Sequence, residues 1–453
     1  MLMTHSERTP YISSKAKPLT GSPVIPGDKS ISHRALMFGG LAIGKTTITG
    51  LLEGEDVLCT AEAMRQMGAT ITRFDDGTWE CHGVGIGGLK EPEAALEMGN
   101  SGTSTRLLMG LVGGHNITAT FIGDASLTKR PMNRVIIPLE QMGVTFQARE
   151  GGRLPVTSTG PKTLMPIEYR LPVASAQVKS AILLAGLSAM GKTTVIEEKP
   201  TRDHTENMLR HFGIEVEVKD LEDGGQAISV TGQKDLKGAT IIVPSDPSSA
   251  AFPTVAALIN QGSEIMLENT LMNDRRSGIY DTLIEMGADI TYSNERNDGG
   301  EPVCDMYIKA SQTLKGITVP AERVPSMIDE FPILSIAAAC AKGTTIMTGL
   351  EELRVKESDR LLMMYNGLKA CGVDCEMGED SLTIHGDGSA PLGLNKNVTP
   401  IETALDHRIA MSFLVLGTVS KNPITIDDAA PIRTSFPDFI DLMNTLGTDL
   451  KPA

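Results

Sequence analysis

Six times along the chain an amphipathic helical stretch stops at a glycine and passes into a run of alternating apolar and polar residues. The six are A-M-R-Q-M-G-A-T-I-T at Gly68, L-E-Q-M-G-V-T-F-Q at Gly143, L-R-H-F-G-I-E-V-E-V at Gly213, L-I-E-M-G-A-D-I-T at Gly287, L-K-A-C-G-V-D-C-E at Gly372 and M-N-T-L-G-T-D-L-K at Gly447. Glycine just past the last helical turn takes the left-handed conformation without Cβ strain, so the pattern predicts helix, C′ glycine and strand. The glycines recur every 70 to 85 residues, which marks internal repetition of the whole chain. Each repeat also carries a second helical stretch, opening near Ser30, Gly102, Ala176, Ser248, Glu330 and His407, that is apolar nearly all round and therefore buried. β-branched runs such as T-T-I-T-G, T-T-V-I-E and T-T-I-M-T follow these stretches. The expected unit is β-α-β-α-β-β, present six times, three to a lobe, in an α/β (α+β) fold of two similar lobes.

All six buried helices open on residues that cap a first turn or face an anion: Asp28 and Ser30, Asn100 and Ser101, Ser175, Asp246 and Ser248, Asp329, and Asp406. One helix N-terminus contributes only ~0.3 to 1 kcal/mol to a nearby anion, and about 2 when partly buried. Several aimed at one place would make a trap for phosphate and carboxylate.

Composition sharpens this. With 41% hydrophobic and 21% charged residues in 453, the chain is that of a folded protein with a sizeable core. The net charge of −15 repels nucleic acid and anionic membrane, so an anion site must be built locally from Lys and Arg. One Trp, six Tyr and ten Phe are too few for base-stacking platforms. The longest apolar windows, Ala181–Met190, Phe331–Ala341 and Ile409–Val419, reach about half of a bilayer span. The opening M-L-M-T-H-S-E-R-T-P reads as a short polar tail without a signal-peptide core, so a cytoplasmic location is expected. Six dispersed cysteines fit reduced core thiols, with no metal site.

The basic residues fall in compact motifs. In P-G-D-K-S-I-S-H-R (Pro26–Arg34), Ser30 and Arg34 are four apart on one helical face, with Lys29 at the start of the turn. In S-L-T-K-R-P-M (Ser126–Met132), Pro131 suits the first position of a helix and places Arg130 just before it. Arg202 lies in T-R-D-H-T-E, where Asp203 and Glu206 have the spacing of a capping box. E-E-L-R-V-K-E-S-D-R (Glu351–Arg360) puts Lys356 and Arg360 on one face if helical, with Glu357 in reach of Arg360; the ordinary alternative is a solvated charge network. Asp329 precedes an apolar helix and has the position of an N-cap. Arg408 falls in the first turn of a helix, where a cation opposes the dipole unless an anion compensates. Two segments, Gly39–Thr46 and Gly186–Thr193, match G-x4-G-K-T, but here the helix comes before and the strand after, the reverse of a phosphate loop.

These motifs, with G-D-x-S-L-x-x-R-P-M, S-A-Q-V-K-S-A, M-I-D-E-F-P, L-D-H-R-I-A-M and T-S-F-P-D-F, resemble the 5-enolpyruvylshikimate-3-phosphate synthase family from about Pro23 to the C-terminus. The resemblance is to its second, glyphosate-insensitive-like class. It implies the enolpyruvyl transferase fold, an inside-out α/β barrel of two lobes: residues 26–244 in one, 1–25 and 245–453 in the other, with the site in the cleft between them. It implies a monomer without cofactor that transfers the enolpyruvyl group of phosphoenolpyruvate to the 5-hydroxyl of shikimate 3-phosphate, releasing phosphate. Carried over by motif, Lys29, Ser30, Arg34, Ser175, Gln177, Arg202, Asp329 and Lys356 would contact shikimate 3-phosphate. Lys29, Gly102, Arg130, Gln177, Arg360 and Arg408 would surround phosphoenolpyruvate. Arginine forks suit its carboxylate and phosphate. Asp329 would accept the hydroxyl proton, Glu357 would donate to the methylene carbon, and Lys29 with Lys356 would steady the departing phosphate.

Three positions depart from the family pattern. Ala176 replaces a second serine in V-A-S-A-Q, Thr434 stands where many relatives have lysine with Arg433 one place earlier, and Gly102 stands where glyphosate-insensitive relatives have alanine. Of the rival readings, UDP-N-acetylglucosamine enolpyruvyl transferase uses a loop cysteine, which G-D-A-S-L-T-K-R-P lacks. A non-catalytic anion-binding protein would have no need of Asp329 and Glu357.

Overall fold

The computed structural model describes residues 8–453 except 223, 311 and 396–398. The polar tail expected at the start of the chain therefore lies outside the described residues over positions 1–7. Two compact units emerge. A central unit comprises Gly27–Pro244 with Asn297–Glu301, and a terminal unit comprises the chain up to Pro26 with Ser245–Arg296 and Pro302–Ala453.

In the central unit the repeat is regular. Strand Leu96–Glu97 runs parallel to Thr118–Ile122, which pairs antiparallel with Arg153–Thr159, itself antiparallel to Thr145–Arg149. Helices Gly102–Gly113 and Asn133–Gln141 make the two connections. The same order recurs in Glu168–Arg170, Lys192–Glu197, Gln226–Thr231 and Val216–Asp220. It recurs again in Lys45–Thr49, Trp79–His82 and Thr70–Arg73, whose parallel edge strand, Thr240–Ile242, comes from the far end of the unit.

Among the described residues the terminal unit has one four-stranded sheet and two of three strands. Its second and third repeats replace the parallel edge strand with isolated bridges, Lys315 to Lys342, Thr318 to Ile346 and Ile401 to Ile426. In the last sheet Tyr11–Ser14 lies between Ile424–Ile426 and Asp449–Pro452, so the N-terminal strand supplies what the sixth repeat lacks.

All six predicted C′ glycines adopt positive φ: +102° at Gly68, +103° at Gly143, +85° at Gly213, +92° at Gly287, +76° at Gly372 and +116° at Gly447. The six apolar helices are buried as their composition requires. Every residue from Ile31 to Leu41 and from Phe331 to Ala339 is buried. Close packing depends on glycine at one crossing in particular: a Cβ on Gly110 would come within 2.2 Å of the Ala181 carbonyl oxygen. That absence of a side chain lets helix Gly102–Gly113 lie against helix Ala176–Gly186, and it sets the spacing of the residues at their N-termini.

The two G-x4-G-K-T segments are helix-to-strand turns, as their order predicts. Helix Lys29–Leu41 precedes strand Lys45–Thr49 with Gly44 at φ +95°, and helix Ala176–Gly186 precedes Lys192–Glu197 with Gly191 at +143°. All six cysteines are free thiols, and burial raises the thiol pKa of each. Among the described residues no helix is long and apolar enough to cross a membrane.

Candidate active site

Five of the six buried helices are capped as the sequence predicts. Asp28 accepts from the Ile31 amide, Ser101 from Ser104, Ser175 from Val178, Asp246 from Ser248 and Asp406 from Arg408. The sixth differs: the helix Phe331–Cys340 has Glu330 at its N-cap position without a side-chain cap bond. Asp329 is not a cap, because its carboxylate is engaged by cations arriving from other elements.

In the central unit, Lys29 opens helix Lys29–Leu41 and its ammonium pairs with the buried carboxylate of Asp56. Ser30 stands half-buried beside it. Arg34 is 3% exposed and donates from Nε to Thr205 Oγ1 at 2.8 Å, from Nη2 to Ser180 Oγ at 3.0 Å and from Nη1 to the Ser30 carbonyl at 2.9 Å. Burial pulls the Arg34 guanidinium down to about 10, against the opposing pull of Glu206, Asp28 and Glu301, and it remains charged at neutral pH.

At the neighbouring helix starts, Gln177 Nε2 donates to Thr103 Oγ1 at 2.9 Å, and its Oε1 accepts from Arg106 Nη1 at 2.7 Å. Arg130 donates to Asn100 Oδ1 and, at 3.2 Å, to Ser126 Oγ. Gly102 lies against both arginines: a Cβ there would meet Arg106 Nη1 at 2.9 Å and Arg130 Nη1 at 3.2 Å. The structure thus brings Gly102, Arg130 and Gln177 together around Arg106. Sequence reasoning missed Arg106, although its i+4 spacing from Gly102 puts both on one helix face. The buried His33, whose Nδ1 lies 2.8 Å from Thr60 Oγ1 and 3.2 Å from Ser104 Oγ, ties the Lys29 helix to the Gly102 helix.

Two local expectations fail here. The helix beside Arg130 begins at Asn133, so Pro131 precedes its cap rather than occupying the first turn, and Arg130 closes the 3-10 turn Leu127–Lys129. Asp203 and Glu206 form no capping box. Glu206 instead joins Glu197 on the fully buried Lys179, at 2.8 and 3.0 Å, because a buried ammonium is tolerable only with carboxylate partners. Arg202 is half-buried in the loop that this triad anchors through the Thr201 carbonyl.

In the terminal unit the charged run Glu351–Arg360 is not one helix. A 3-10 turn covers Glu351–Val355, and a new helix starts at Arg360 with Asp359 as cap. Lys356 and Arg360 therefore do not share a helical face, yet both reach Asp329 Oδ1 at 3.1 Å. The run is not a solvated network either. Arg360, 1% exposed, lies between Asp329, Glu357 Oε2 at 2.5 Å and Asp406 Oδ2 at 2.8 Å. Burial opposes its charge, and the carboxylates of Asp406, Glu357 and Asp329 more than offset that, raising its pKa above the ordinary arginine value.

Arg408 donates from Nη1 to the Asp329 carbonyl at 2.9 Å and to Glu330 Oε1 at 3.2 Å, so protein acceptors answer the unfavourable helix dipole predicted for it. Three cations, Lys356, Arg360 and Arg408, are met here by four carboxylates, Asp329, Glu330, Glu357 and Asp406. This cluster is a cation and carboxylate lattice rather than the plain positive trap that the motifs suggested. Just before it, Ala404 and Leu405 hold positive φ of 50° and 60°, strained for residues with a Cβ. Arg433 is exposed on the 3-10 turn Ala430–Thr434, and Thr434 Oγ1 donates to the Pro431 carbonyl at 2.8 Å.

The family profile described as EPSP synthase (3-phosphoshikimate 1-carboxyvinyltransferase) matches residues 13–443. A protein of Paramagnetospirillum magneticum named 3-phosphoshikimate 1-carboxyvinyltransferase is 58% identical over 442 residues, covering 98% of each chain. One of the same name from Parvibaculum lavamentivorans is 60% identical over 429 residues, 95% of this chain and 94% of that one. A solved EPSP synthase structure from Acinetobacter baumannii superposes with a TM-score of 0.86 at 48% identity, covering 98% of this chain and all of the other.

Proposed function

The chain belongs to the EPSP synthase family, and from that premise we propose how its own residues carry out the family reaction. The chain is a transferase of the shikimate route to aromatic amino acids. It moves the enolpyruvyl group of phosphoenolpyruvate to the 5-hydroxyl of shikimate 3-phosphate and releases phosphate. The observation that carries the residue assignment is Asp329, a carboxylate left out of the capping role and held instead by Lys356 and Arg360.

By the family's motifs, Lys29, Ser30, Arg34, Ser175, Gln177, Arg202, Asp329 and Lys356 address shikimate 3-phosphate. Lys29, Gly102, Arg130 and Gln177 with Arg360 and Arg408 address phosphoenolpyruvate. Arg34, already bonded to three neutral oxygens, brings net positive charge to this group. Arg106 belongs with these residues as the group that orients Gln177.

The reaction proceeds by addition and elimination. The substrate hydroxyl gives its proton to Asp329 as its oxygen bonds C2 of phosphoenolpyruvate, and Glu357 delivers a proton to C3. In the second step C3 returns a proton to Glu357, the C2–O bond to phosphate breaks as its oxygen takes the proton held by Asp329, and Lys29 and Lys356 stabilise the departing dianion. General acid and base help of ~10² to 10⁴ is too small alone. Holding two polyanions in register supplies a further ~7 to 11 kcal/mol, and fixed cations facing the tetrahedral intermediate supply the rest. The chain is read as a member of the second class, acting as a monomer in the cytoplasm.

Separate KM values test the binding assignment. Arg130→Ala should raise KM for phosphoenolpyruvate with little change for shikimate 3-phosphate, whereas Arg202→Ala should do the reverse. The same shift for both substrates in either variant contradicts it.

A further inference from the structure

Glu330 has no part in the reaction as described, yet it is the most deeply buried acid beside the Arg408 guanidinium. Its side chain is 1% exposed. One oxygen, Oε1, accepts both from Arg408 Nη1 at 3.2 Å and from Ser248 Oγ at 2.5 Å, while Oε2 is buried without a hydrogen bond among the described residues. Ser248 Oγ in turn accepts from Arg276 Nη2 at 2.9 Å, and Arg276 Nη2 also reaches Asp246 Oδ1 at 3.1 Å. These residues come from four separate stretches of chain, and Arg276, Ser248 and Asp246 are all buried. A buried charge survives only when paired, so this carboxylate is kept for what it holds.

What it holds is one edge of Arg408. Nη1 is committed to Glu330 and to the Asp329 carbonyl, whereas Nε and Nη2 make no hydrogen bond among the described residues. We infer that Glu330 is a positioning residue for phosphoenolpyruvate: together with Ser248 and Arg276 it fixes the Arg408 guanidinium so that its remaining donors meet the anionic ligand. A side chain ordered before the ligand arrives loses less freedom on binding, which lowers the cost of the complex. The inference rests on Arg408 as a phosphoenolpyruvate ligand.

The test compares Glu330→Gln, Ser248→Ala, Arg408→Lys and the double variant Glu330→Gln/Arg408→Lys by KM for each substrate, kcat and thermal midpoint. Glu330→Gln should raise KM for phosphoenolpyruvate about tenfold while KM for shikimate 3-phosphate stays within about twofold, a split that a general loss of structure does not produce. Ser248→Ala should move the same constant in the same direction by less. The double variant should be no worse than Arg408→Lys, since both act through one group. An unchanged KM for phosphoenolpyruvate in Glu330→Gln, with Arg408→Lys impaired, overturns the inference, as does an equal rise for both substrates. An unimpaired Arg408→Lys overturns the underlying assignment of Arg408, and this inference with it.

Discussion

Asp329 Oδ1 and Arg360 Nη1 meet at 3.1 Å across 31 positions of sequence, and the same guanidinium reaches Glu357 through its other terminal nitrogen. One buried cation thus holds both carboxylates assigned to proton transfer. Removing the Asp329 charge should leave the fold and substrate binding largely intact and cut kcat by ~10² to 10⁴, the usual worth of a general base. Asp329→Asn with full turnover in a steady-state assay contradicts the assignment.

Glu357 has a more specific signature. In deuterium oxide the addition step places a solvent deuteron on C3, and the elimination then removes one of three hydrogens, so the vinyl group of the product acquires deuterium. Glu357→Gln should suppress both turnover and this incorporation, read by mass spectrometry. Deuterium entering at the normal rate would assign the carbon proton to another residue.

Gly102 is the point at which one methyl group matters most. Its Cβ would press on Arg106 and Arg130, so Gly102→Ala should raise KM for phosphoenolpyruvate several-fold and weaken glyphosate more strongly. Equal inhibition constants for the two proteins refute the steric account.

Gly110 carries the packing beneath that site. Its substitution by alanine drives a methyl group into the Ala181 carbonyl, and overpacking of this kind costs about 1 to 3 kcal/mol. Denaturant unfolding should register that loss, and activity should fall with it because the Thr103 and Gln177 contact lies at the opening of the same two helices. A fully stable and active Gly110→Ala shows that the helices can part without consequence.

Much of the fold was legible because it repeats. A C′ glycine leaves the same trace in sequence as in backbone angle, and six such traces fix the period. The site was legible where one helix turn carries the chemistry, as at Lys29, Ser30 and Arg34. It was not legible where tertiary partners override local rules. Glu206 abandons a capping box for Lys179, and the run from Glu351 breaks before Arg360 because its charges pair with Asp329 and Asp406 rather than with each other. Arg106 and Glu330 escaped because their partners, Gln177 and Ser248, are more than seventy positions away.

Stability should also respond to acid through buried imidazoles. Burial, with Lys29 and Arg34 nearby, lowers the His33 pKa well below 6.5, and burial lowers His115 likewise. Below pH 6.5 the unfolded chain binds protons that the folded chain refuses, so stability falls as pH falls through that window. Between pH 7.0 and 5.5 His33→Asn should lose about 1 kcal/mol less than the parent in urea unfolding. Identical losses contradict a neutral folded His33.

The most direct measurement is phosphate release from the purified protein given phosphoenolpyruvate and shikimate 3-phosphate, together and singly, with unphosphorylated shikimate as the control acceptor. Release should require both substrates and should all but vanish with the control, because the cations that hold the 3-phosphate then have nothing to grip. Release from phosphoenolpyruvate alone, or none from the complete mixture, contradicts the account.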